Sequence, residues 1–200
     1  MNKGESLGAL RKAVFLDRDG TINEEKNYLH RIEDFSFIPG VPLAIKRLNQ
    51  AGFLVIVVTN QSGVARGYFD LADVRRLHDH VASCLASEQA HVDGFYICPH
   101  HPEAGQGIWR KQCDCRKGAP GLLLQAAEQL HVDLSRSFMV GDKDADMEAG
   151  RRAGCTPLLV LTGYGSETAR SVDPTIGRFA SLVEAVDFIL RQDGNHTVTA

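Results

Sequence analysis

Short apolar runs recur along the chain, and each of them ends in polar residues. One of the runs, FLVIVVT, is rich in β-branched side chains and shows no polar alternation, which is typical of a strand that is buried on both faces of a sheet. The pattern predicts five strands, at AVFL (Ala13–Leu16), FLVIVVT (Phe53–Thr59), GFYIC (Gly94–Cys98), SFMV (Ser137–Val140) and PLLVL (Pro157–Leu161).

The segments between these runs carry apolar residues at helical spacing. They predict helices from Pro39-Gly40 to near Gly52, from Leu71 to about Ser87, and over Gly121–Leu130, Asp144–Ala153 and Leu182–Leu190. Strands that alternate with helices indicate parallel pairing, with helices covering both faces of the sheet. The expected fold class is therefore α/β, with a doubly wound parallel sheet.

Composition places the chain among ordinary globular proteins. Its 200 residues are 44% hydrophobic and 24% charged, with a formal net charge of −3. This length suits one domain over residues 1–200, with a core at about 12–190 and with residues 1–11 and 193–200 expected to be flexible. A mildly acidic balance argues against nucleic-acid binding.

The sequence lacks two features that would indicate a membrane or secreted protein. No apolar run approaches the roughly 18 residues of a membrane span, and the start, MNKGESLGALRK, lacks the apolar core of a signal peptide. We expect a cytoplasmic monomer with no membrane or nucleic-acid partner. Disulfides are rare in that compartment, and the five cysteines are an odd number.

Polar residues with catalytic potential follow four of the predicted strands. In doubly wound folds the ligand binds beyond the carboxyl ends of the strands, so these residues are expected to meet at one edge of the sheet. Taken singly, each has a simpler interpretation as a solvated turn, a strand end, a surface lysine or a helix cap. The converging residues, strand by strand, are Asp17 and Asp19, then Thr59, then Lys117, then Asp142 and Asp146.

Phosphoryl transfer is the chemistry that uses such a set. Clustered carboxylates bind Mg²⁺, and one carboxylate can attack phosphorus to form an acyl phosphate. A second acid must then protonate the leaving alkoxide and later activate water. Asp17 and Asp19 are two residues apart in an extended segment, so their side chains face the same way. A threonine and a lysine can stabilise the phosphoryl oxygens.

The segments DRDGT, TNQS, RK and GDKDAD resemble the four motifs of the haloacid-dehalogenase superfamily, over about residues 13–165. The resemblance implies a Rossmann-like core, with Asp17 as nucleophile and Asp19 as general acid and base. It also implies that Thr59 and Lys117 bind the phosphoryl group. Asp142 would complete the Mg²⁺ site with Asp17 and the main-chain carbonyl of Asp19. The second acid favours a phosphatase over a dehalogenase, since an alkoxide needs a proton and a halide does not.

A cysteine-rich stretch precedes Lys117. A redox pair, a disulfide, a cysteine nucleophile and a loop of unused thiols are alternatives, but redox pairs usually read C-x-x-C and a second nucleophile would be redundant. Three thiolates and one imidazole match a closed tetrahedral zinc site with no open position, which is typical of structural zinc. Such a zinc loop would position Lys117. The four candidate ligands are Cys98, His100, Cys113 and Cys115.

A longer set of segments, LDRDGTIN, VTNQSGVARG, CPHHPE, CDCRK and MVGDKDADM, resembles the D-glycero-D-manno-heptose 1,7-bisphosphate 7-phosphatases almost end to end. That family removes the 7-phosphate in nucleotide-heptose synthesis, which feeds lipopolysaccharide core or surface-layer glycans. One departure is Gly118, where the family usually has proline. The substrate contacts that the resemblance implies come from Glu25, Lys26, Asn27, Tyr28, Thr59, Asn60, Gln61, Ser62, Arg116, Lys117 and Lys143.

Only about 40 residues separate the first two motifs, which leaves no room for a large cap domain. Hydrolysis is therefore favoured over phosphomutase activity, and specificity is expected to come from the zinc loop and the rim. Two alternatives stay open. A histidinol-phosphate phosphatase would share the zinc loop and the motifs, and a non-enzymatic zinc module would bind nucleic acid or protein.

Overall fold

The computed structural model describes residues 10–197, whose strands form a six-stranded sheet in the order β3-β2-β1-β4-β5-β6. Every neighbouring pair is parallel. The strand order reverses direction between β1 and β4, and ligands of doubly wound sheets bind at such a point. The strands are β1 (Ala13–Leu16), β2 (Leu54–Asn60), β3 (Gly94–Cys98), β4 (Phe138–Gly141), β5 (Thr156–Val160) and β6 (Gly177–Phe179).

Seven α-helices and three short 3₁₀ helices connect these strands in the described residues. The helix α3 begins at a capping box in which Asp70 and Asp73 bond each other's backbone N–H groups. The α-helices are α1 (Val41–Gln50), α2 (Gly63–Arg66), α3 (Leu71–Ser87), α4 (Gly121–Leu130), α5 (Asp144–Ala153), α6 (Gly165–Thr168) and α7 (Leu182–Thr197). The 3₁₀ helices are Ile32–Asp34, Gly107–Trp109 and Leu134–Arg136.

Alternate residues of β1 belong to two different hydrophobic cores. Val14 and Leu16 pack in the core that also contains apolar residues of α1, α3 and α7. Ala13 and Phe15 pack in the core on the other face, with residues of α4 and α5. Because both faces are covered, the strand shows no polar alternation. The predicted doubly wound α/β fold is confirmed.

The element boundaries differ from the predicted ones by one residue at several strands, and by more at the last helix. That helix continues to Thr197, beyond its predicted end at Leu190. The three-residue strand β6 was not predicted, since its sequence, GRF, is too short to show a period, and it depends on pairing with β5. Residues 1–9 and 198–200 lie outside the described residues, so their flexibility stays a prediction.

No inserted domain covers the carboxyl ends of the strands from the β1–β2 connection. Residues 17–53, all of them described, contain one 3₁₀ turn and α1. As expected, this segment contains no large cap domain. Among the described residues, no helix is both long and apolar enough to cross a membrane.

Candidate active site

Three buried carboxylates meet where β1 and β4 end side by side. Asp17 directly follows β1, and its N–H donates to the carbonyl of Val140 at 2.9 Å. Asp142 directly follows β4, and Asp146 lies in the first turn of α5. One carboxylate oxygen of each lies within 4.8 Å of the others. This carboxylate cluster (Asp17, Asp142 and Asp146) stands at the point of the sheet where a ligand is expected.

Two glycines shape the seat of the Asp142 carboxylate. Gly20 has φ +85°, and a Cβ there would lie 2.2 Å from Asp142 Oδ2. A Cβ on Gly163 would lie 2.3 Å from the same oxygen. Asp142 Oδ2 accepts a hydrogen bond from the N–H of Tyr164 at 2.8 Å, but buried Oδ1 has no hydrogen-bond partner. A cation would satisfy this oxygen, so the cluster fits a divalent metal ion.

The charges of the cluster repel one another in a buried place. Burial, together with the charges of Asp146 and Asp142, raises the pKa of Asp17 to about 7, while the charge of Lys117 lowers that pKa. Burial likewise raises the pKa of Asp142 to about 6 against the influence of Lys143. Ionising the cluster therefore needs additional positive charge, which a bound divalent cation would supply.

Lys117 supplies part of that positive charge. Its buried Nζ lies 2.5 Å from Asp17 Oδ1 and 2.7 Å from Asp146 Oδ1. Burial lowers the pKa of Lys117, but Asp146 and Asp17 outweigh it and leave the pKa raised. The sequence placed Asp146 among the converging carboxylates, with a simpler interpretation as a residue that complements the helix dipole, and the structure shows it as a direct partner of Lys117. Its other oxygen accepts from the N–H of Lys143 at 3.0 Å, which caps α5.

The side chain of Asp19 lies apart from the carboxylate cluster. It accepts hydrogen bonds from Arg18 at 2.9 Å, from Asn23 at 3.0 Å and from Gln61 at 3.0 Å. Burial would raise the pKa of Asp19, but Arg18 and then the Asn23 and Gln61 amides lower it. Gln61 also donates to Thr59 Oγ1 at 2.8 Å. The second acid is thus held by its own set of donors.

A cavity of about 430 Å³ opens above these groups. Its lining includes every predicted substrate residue except Lys26, whose Nζ donates to the carbonyl of Asp34 at 2.7 Å. Tyr164 was not predicted, although it follows β5 and therefore lies at the same edge of the sheet as the residues that follow the other strands. This reaction cavity is lined by Asp17, Asp19, Glu25, Asn27, Tyr28, Thr59, Asn60, Gln61, Ser62, Arg116, Lys117, Lys143, Ala145, Asp146 and Tyr164.

One wall of the reaction cavity is held by contacts between distant segments. Lys143 Nζ lies 3.0 Å from Glu25 Oε2 and 4.7 Å from the centre of the Tyr164 ring. The Tyr164 hydroxyl donates to Asn27 Oδ1 at 3.2 Å. Asn27 and Tyr28 both adopt positive φ values, 41° and 62°. Two consecutive left-handed residues turn this short segment along the edge of the cavity.

The four predicted zinc ligands form a compact cysteine–histidine cluster (Cys98, His100, Cys113 and Cys115). Five of the six distances between their sulfur and Nδ1 atoms run from 3.3 to 3.8 Å, and all the ligand atoms lie within 4.8 Å of one another. A tetrahedral site with bonds of about 2.3 Å has edges of about 3.8 Å. Burial and then Lys111 lower the pKa of His100, which favours the neutral imidazole that ligates metals. The cluster fits a metal ion.

The segment that leaves this cluster is fixed against the rest of the site. Arg116 Nη1 donates to the carbonyl of His100 at 3.1 Å, and the Lys117 N–H donates to Asn60 Oδ1 at 2.9 Å. Gly118 has φ +95° and donates its N–H to the carbonyl of Ala145 at 2.9 Å. Proline allows neither feature, so this chain uses its glycine to anchor the loop exit.

This chain is similar to known phosphatases. A HAD-hydrolase-like family model matches residues 114–185. The D-glycero-β-D-manno-heptose-1,7-bisphosphate 7-phosphatase of Escherichia coli (strain K12) is 45% identical over 177 residues, covering 87% of this chain and 93% of that protein. The enzyme of the same name from Pasteurella multocida (strain Pm70) is 48% identical over 183 residues, covering 88% and 99%.

A solved structure shares the whole fold. The crystal structure of D,D-heptose 1,7-bisphosphate phosphatase from B. bronchiseptica, complexed with magnesium and phosphate, superposes with a TM-score of 0.81. It is 35% identical, and the match covers 90% of this chain and 99% of that chain.

Proposed function

We propose a function from the premise that this chain belongs to the D-glycero-β-D-manno-heptose-1,7-bisphosphate 7-phosphatase family of HAD-like hydrolases. It is a Mg²⁺-dependent phosphatase that removes the 7-phosphate of D-glycero-β-D-manno-heptose 1,7-bisphosphate, in the synthesis of nucleotide-activated heptose for lipopolysaccharide. The observation that carries the proposal is the reaction cavity, in which Asp17, Asp19, Lys117 and Arg116 all face one space.

We place Mg²⁺ at the carboxylate cluster, with the ligands that the resemblance implies. Asp17, Asp142 and the main-chain carbonyl of Asp19 would hold the ion, while Asp146 is engaged by Lys117. A Mg²⁺ ion held there would offset the negative charge of the phosphoryl oxygens and of the cluster. Asp142 Oδ1 supports this assignment, since it has no hydrogen-bond partner and its nearest cationic group, Lys143 Nζ, lies 3.9 Å away.

In the first half-reaction an oxygen of Asp17 attacks phosphorus while the bond to the sugar oxygen breaks. Lys117 and the Thr59 hydroxyl hold phosphoryl oxygens as charge develops on them. The negative charge of the bound phosphate opposes the donors that lower the pKa of Asp19, so Asp19 takes up a proton when the substrate binds. It then gives this proton to the departing sugar oxygen, because an alkoxide is a poor leaving group. The products of this step are the heptose 1-phosphate and an aspartyl phosphate on Asp17.

In the second half-reaction Asp19, now ionised, takes a proton from a water molecule that attacks the aspartyl phosphate. The bond between phosphorus and the Asp17 oxygen breaks, which releases phosphate and restores both carboxyl groups. The donors from Asn23 and Gln61 stabilise the ionised Asp19 that this step requires.

The cysteine–histidine cluster holds structural Zn²⁺ in this proposal. All four ligands come from the protein, which leaves no position for a substrate. The ion fixes a loop whose exit carries both Arg116 and Lys117. We also propose that the enzyme is a cytoplasmic monomer that acts on a small-molecule sugar bisphosphate and binds no nucleic acid or membrane.

A substrate comparison tests the proposed function. With Mg²⁺, we expect the purified zinc-loaded protein to release phosphate from the β anomer of heptose 1,7-bisphosphate with a higher kcat/KM than from the α anomer or from histidinol phosphate. Activity should fall to background when EDTA removes Mg²⁺. Preference for histidinol phosphate would support that alternative. If the protein releases phosphate from none of these esters, a non-enzymatic zinc module would be favoured.

Arg116 is the expected holder of the remote phosphate. It lines the reaction cavity and forms no ion pair with any residue that the structure describes. Arg116→Ala should lower kcat/KM for the bisphosphate by about 10–100-fold, since a charge-assisted contact contributes about 1.5–3 kcal/mol. Hydrolysis of an aryl phosphate, which has no second phosphate, should change much less. Arg116→Lys should restore only part of the loss, because an ammonium cannot bind two oxygens as a fork.

The matched control for this prediction is Arg110→Ala. Arg110 is exposed on the same loop and does not line the reaction cavity. Its removal should leave the ratio of the two kcat/KM values unchanged. An unchanged ratio in Arg116→Ala would show that another residue recognises the remote phosphate.

A further inference from the structure

A buried polar pair lies behind Asp19 and has no part in the reaction described so far. The side chain of Arg18 is fully buried, and His78 of α3 is 4% exposed. Burying a guanidinium is costly unless its N–H groups are paired. The contacts of Arg18 therefore indicate what this residue is for.

Arg18 is paired on three sides. It donates hydrogen bonds to the carboxylate of Asp19, from Nε to Oδ1 at 3.1 Å and from Nη2 to each of the two oxygens at 2.9 Å. Nη2 also donates to the carbonyl of Leu29 at 2.9 Å, and Nη1 lies 3.3 Å from Nε2 of His78. Two acceptors, the Leu29 carbonyl and His78 Nε2, thus hold the guanidinium in place, and its Nε and Nη2 atoms bind the Asp19 carboxylate as a two-pronged fork.

His78 serves Arg18 as a neutral acceptor. Burial, and then the charge of Arg18, lower the pKa of His78 to about 3, so the imidazole carries no charge. A neutral imidazole with its proton on Nδ1 leaves Nε2 free to accept from the guanidinium. The ring stacks on Phe95, with centroids 4.4 Å apart, which holds Nε2 in place.

We infer that Arg18, anchored by His78, is a positioning residue that holds the Asp19 carboxylate at the angle its proton transfers need. The fork fixes both oxygens, whereas the Asn23 and Gln61 amides each reach only one. A catalytic carboxyl group must lie within hydrogen-bond reach of the atom it serves. This inference rests on the proposed function, since it takes Asp19 as the general acid and base.

The first half-reaction offers a specific readout. The Asp17–phosphorus bond forms as the bond between phosphorus and the leaving oxygen breaks, and the electron pair stays on that oxygen. A basic leaving oxygen takes the Asp19 proton in this step, whereas a weakly basic 4-nitrophenolate can leave without it. A displaced Asp19 should therefore slow substrates with basic leaving groups selectively.

The experiment compares kcat/KM for phenyl phosphate and 4-nitrophenyl phosphate, which are similar in shape but differ in leaving-group basicity. This parameter reports on the steps up to loss of the phenolate. His78→Leu removes the acceptor for Arg18, and the phenyl to 4-nitrophenyl ratio should fall about 10-fold, a part of the 10²–10⁴-fold that general acid catalysis supplies. His78→Gln keeps an acceptor and should restore most of the ratio.

His80→Leu is the matched control on the same helix. His80 contacts Cys84 and the Phe35 ring and does not contact Arg18, so its loss should leave the ratio unchanged. An equal fall for both substrates in His78→Leu, or no change in a folded variant, would overturn the inference.

A second variant decides the question if His78→Leu does not fold. Arg18→Lys keeps the positive charge but cannot form the fork, and we expect the same fall in the ratio, whereas an unchanged ratio would count against the positioning role. If the unaltered protein hydrolyses neither these aryl phosphates nor heptose 1,7-bisphosphate, the proposed function itself has failed.

Discussion

We expect Asp17→Asn to reduce phosphate release to less than about 10⁻⁴ of the original rate, because an amide cannot attack phosphorus and no acyl phosphate forms. Asp19→Asn should slow turnover by about 10²–10⁴-fold, since it removes only the proton transfers. Steady-state phosphate release at saturating Mg²⁺ measures both effects. Trapping of a phosphorylated protein after rapid acid quench should succeed with the original chain and fail with Asp17→Asn.

The control for both carboxylate variants is Asp144→Asn. Asp144 is exposed at the start of α5 and does not line the reaction cavity. It should retain the original rate. Near-full activity of Asp19→Asn would contradict its assignment, and a phosphorylated Asp17→Asn variant would place the nucleophile elsewhere.

Cys115→Ser should lose activity and stability together. Serine is a poor zinc ligand, so one corner of the tetrahedral site is lost, and the loop that carries Lys117 to Asp17 is no longer fixed. We expect a loss of about 2 kcal/mol or more in unfolding free energy, which is roughly 4–8 °C in Tm for a chain of this size. Activity should fall about 10–100-fold, the range found when the support of a site is removed. Metal analysis should find about one zinc in the original chain and less in the variant.

Cys84→Ser is the matched control for this change. Cys84 is a half-buried cysteine of α3, outside the cysteine–histidine cluster. It should retain both the zinc and the activity. Protein that contains no zinc yet keeps full activity and stability would rule out the structural zinc.

Much of the candidate site was predictable because of where the strands end. In a parallel sheet the carboxyl ends share one edge, so Asp17, Thr59, Lys117 and Asp142 could be placed together without knowing any contact between them. The cysteine–histidine spacing likewise predicted a cluster that the structure forms. These features follow from the order of strands and helices along the chain, and the hydrophobic pattern of each segment predicts that order.

Contacts between distant segments could not be predicted in the same way. Asp146 reads as a helix-capping residue in the sequence, and only folding brings the end of the cysteine-rich loop to it. Lys26 lies beside two residues of the cavity wall but points to the carbonyl of Asp34 instead. Sequence neighbours can face different ways where the backbone turns through positive φ, as it does at Asn27 and Tyr28.

Local patterns in the amino-acid sequence were enough to predict the layering of the sheet, the strand ends and the types of chemical group that meet at them. Hydrophobic periodicity and motif spacing are local properties, and they encode these features directly. Three contacts became visible only in the folded chain: Lys117 pairs with Asp146, Tyr164 lines the reaction cavity, and His78 anchors Arg18. Each of these contacts joins residues from separate elements. Their formation depends on the packing and the side-chain rotamers of the whole domain.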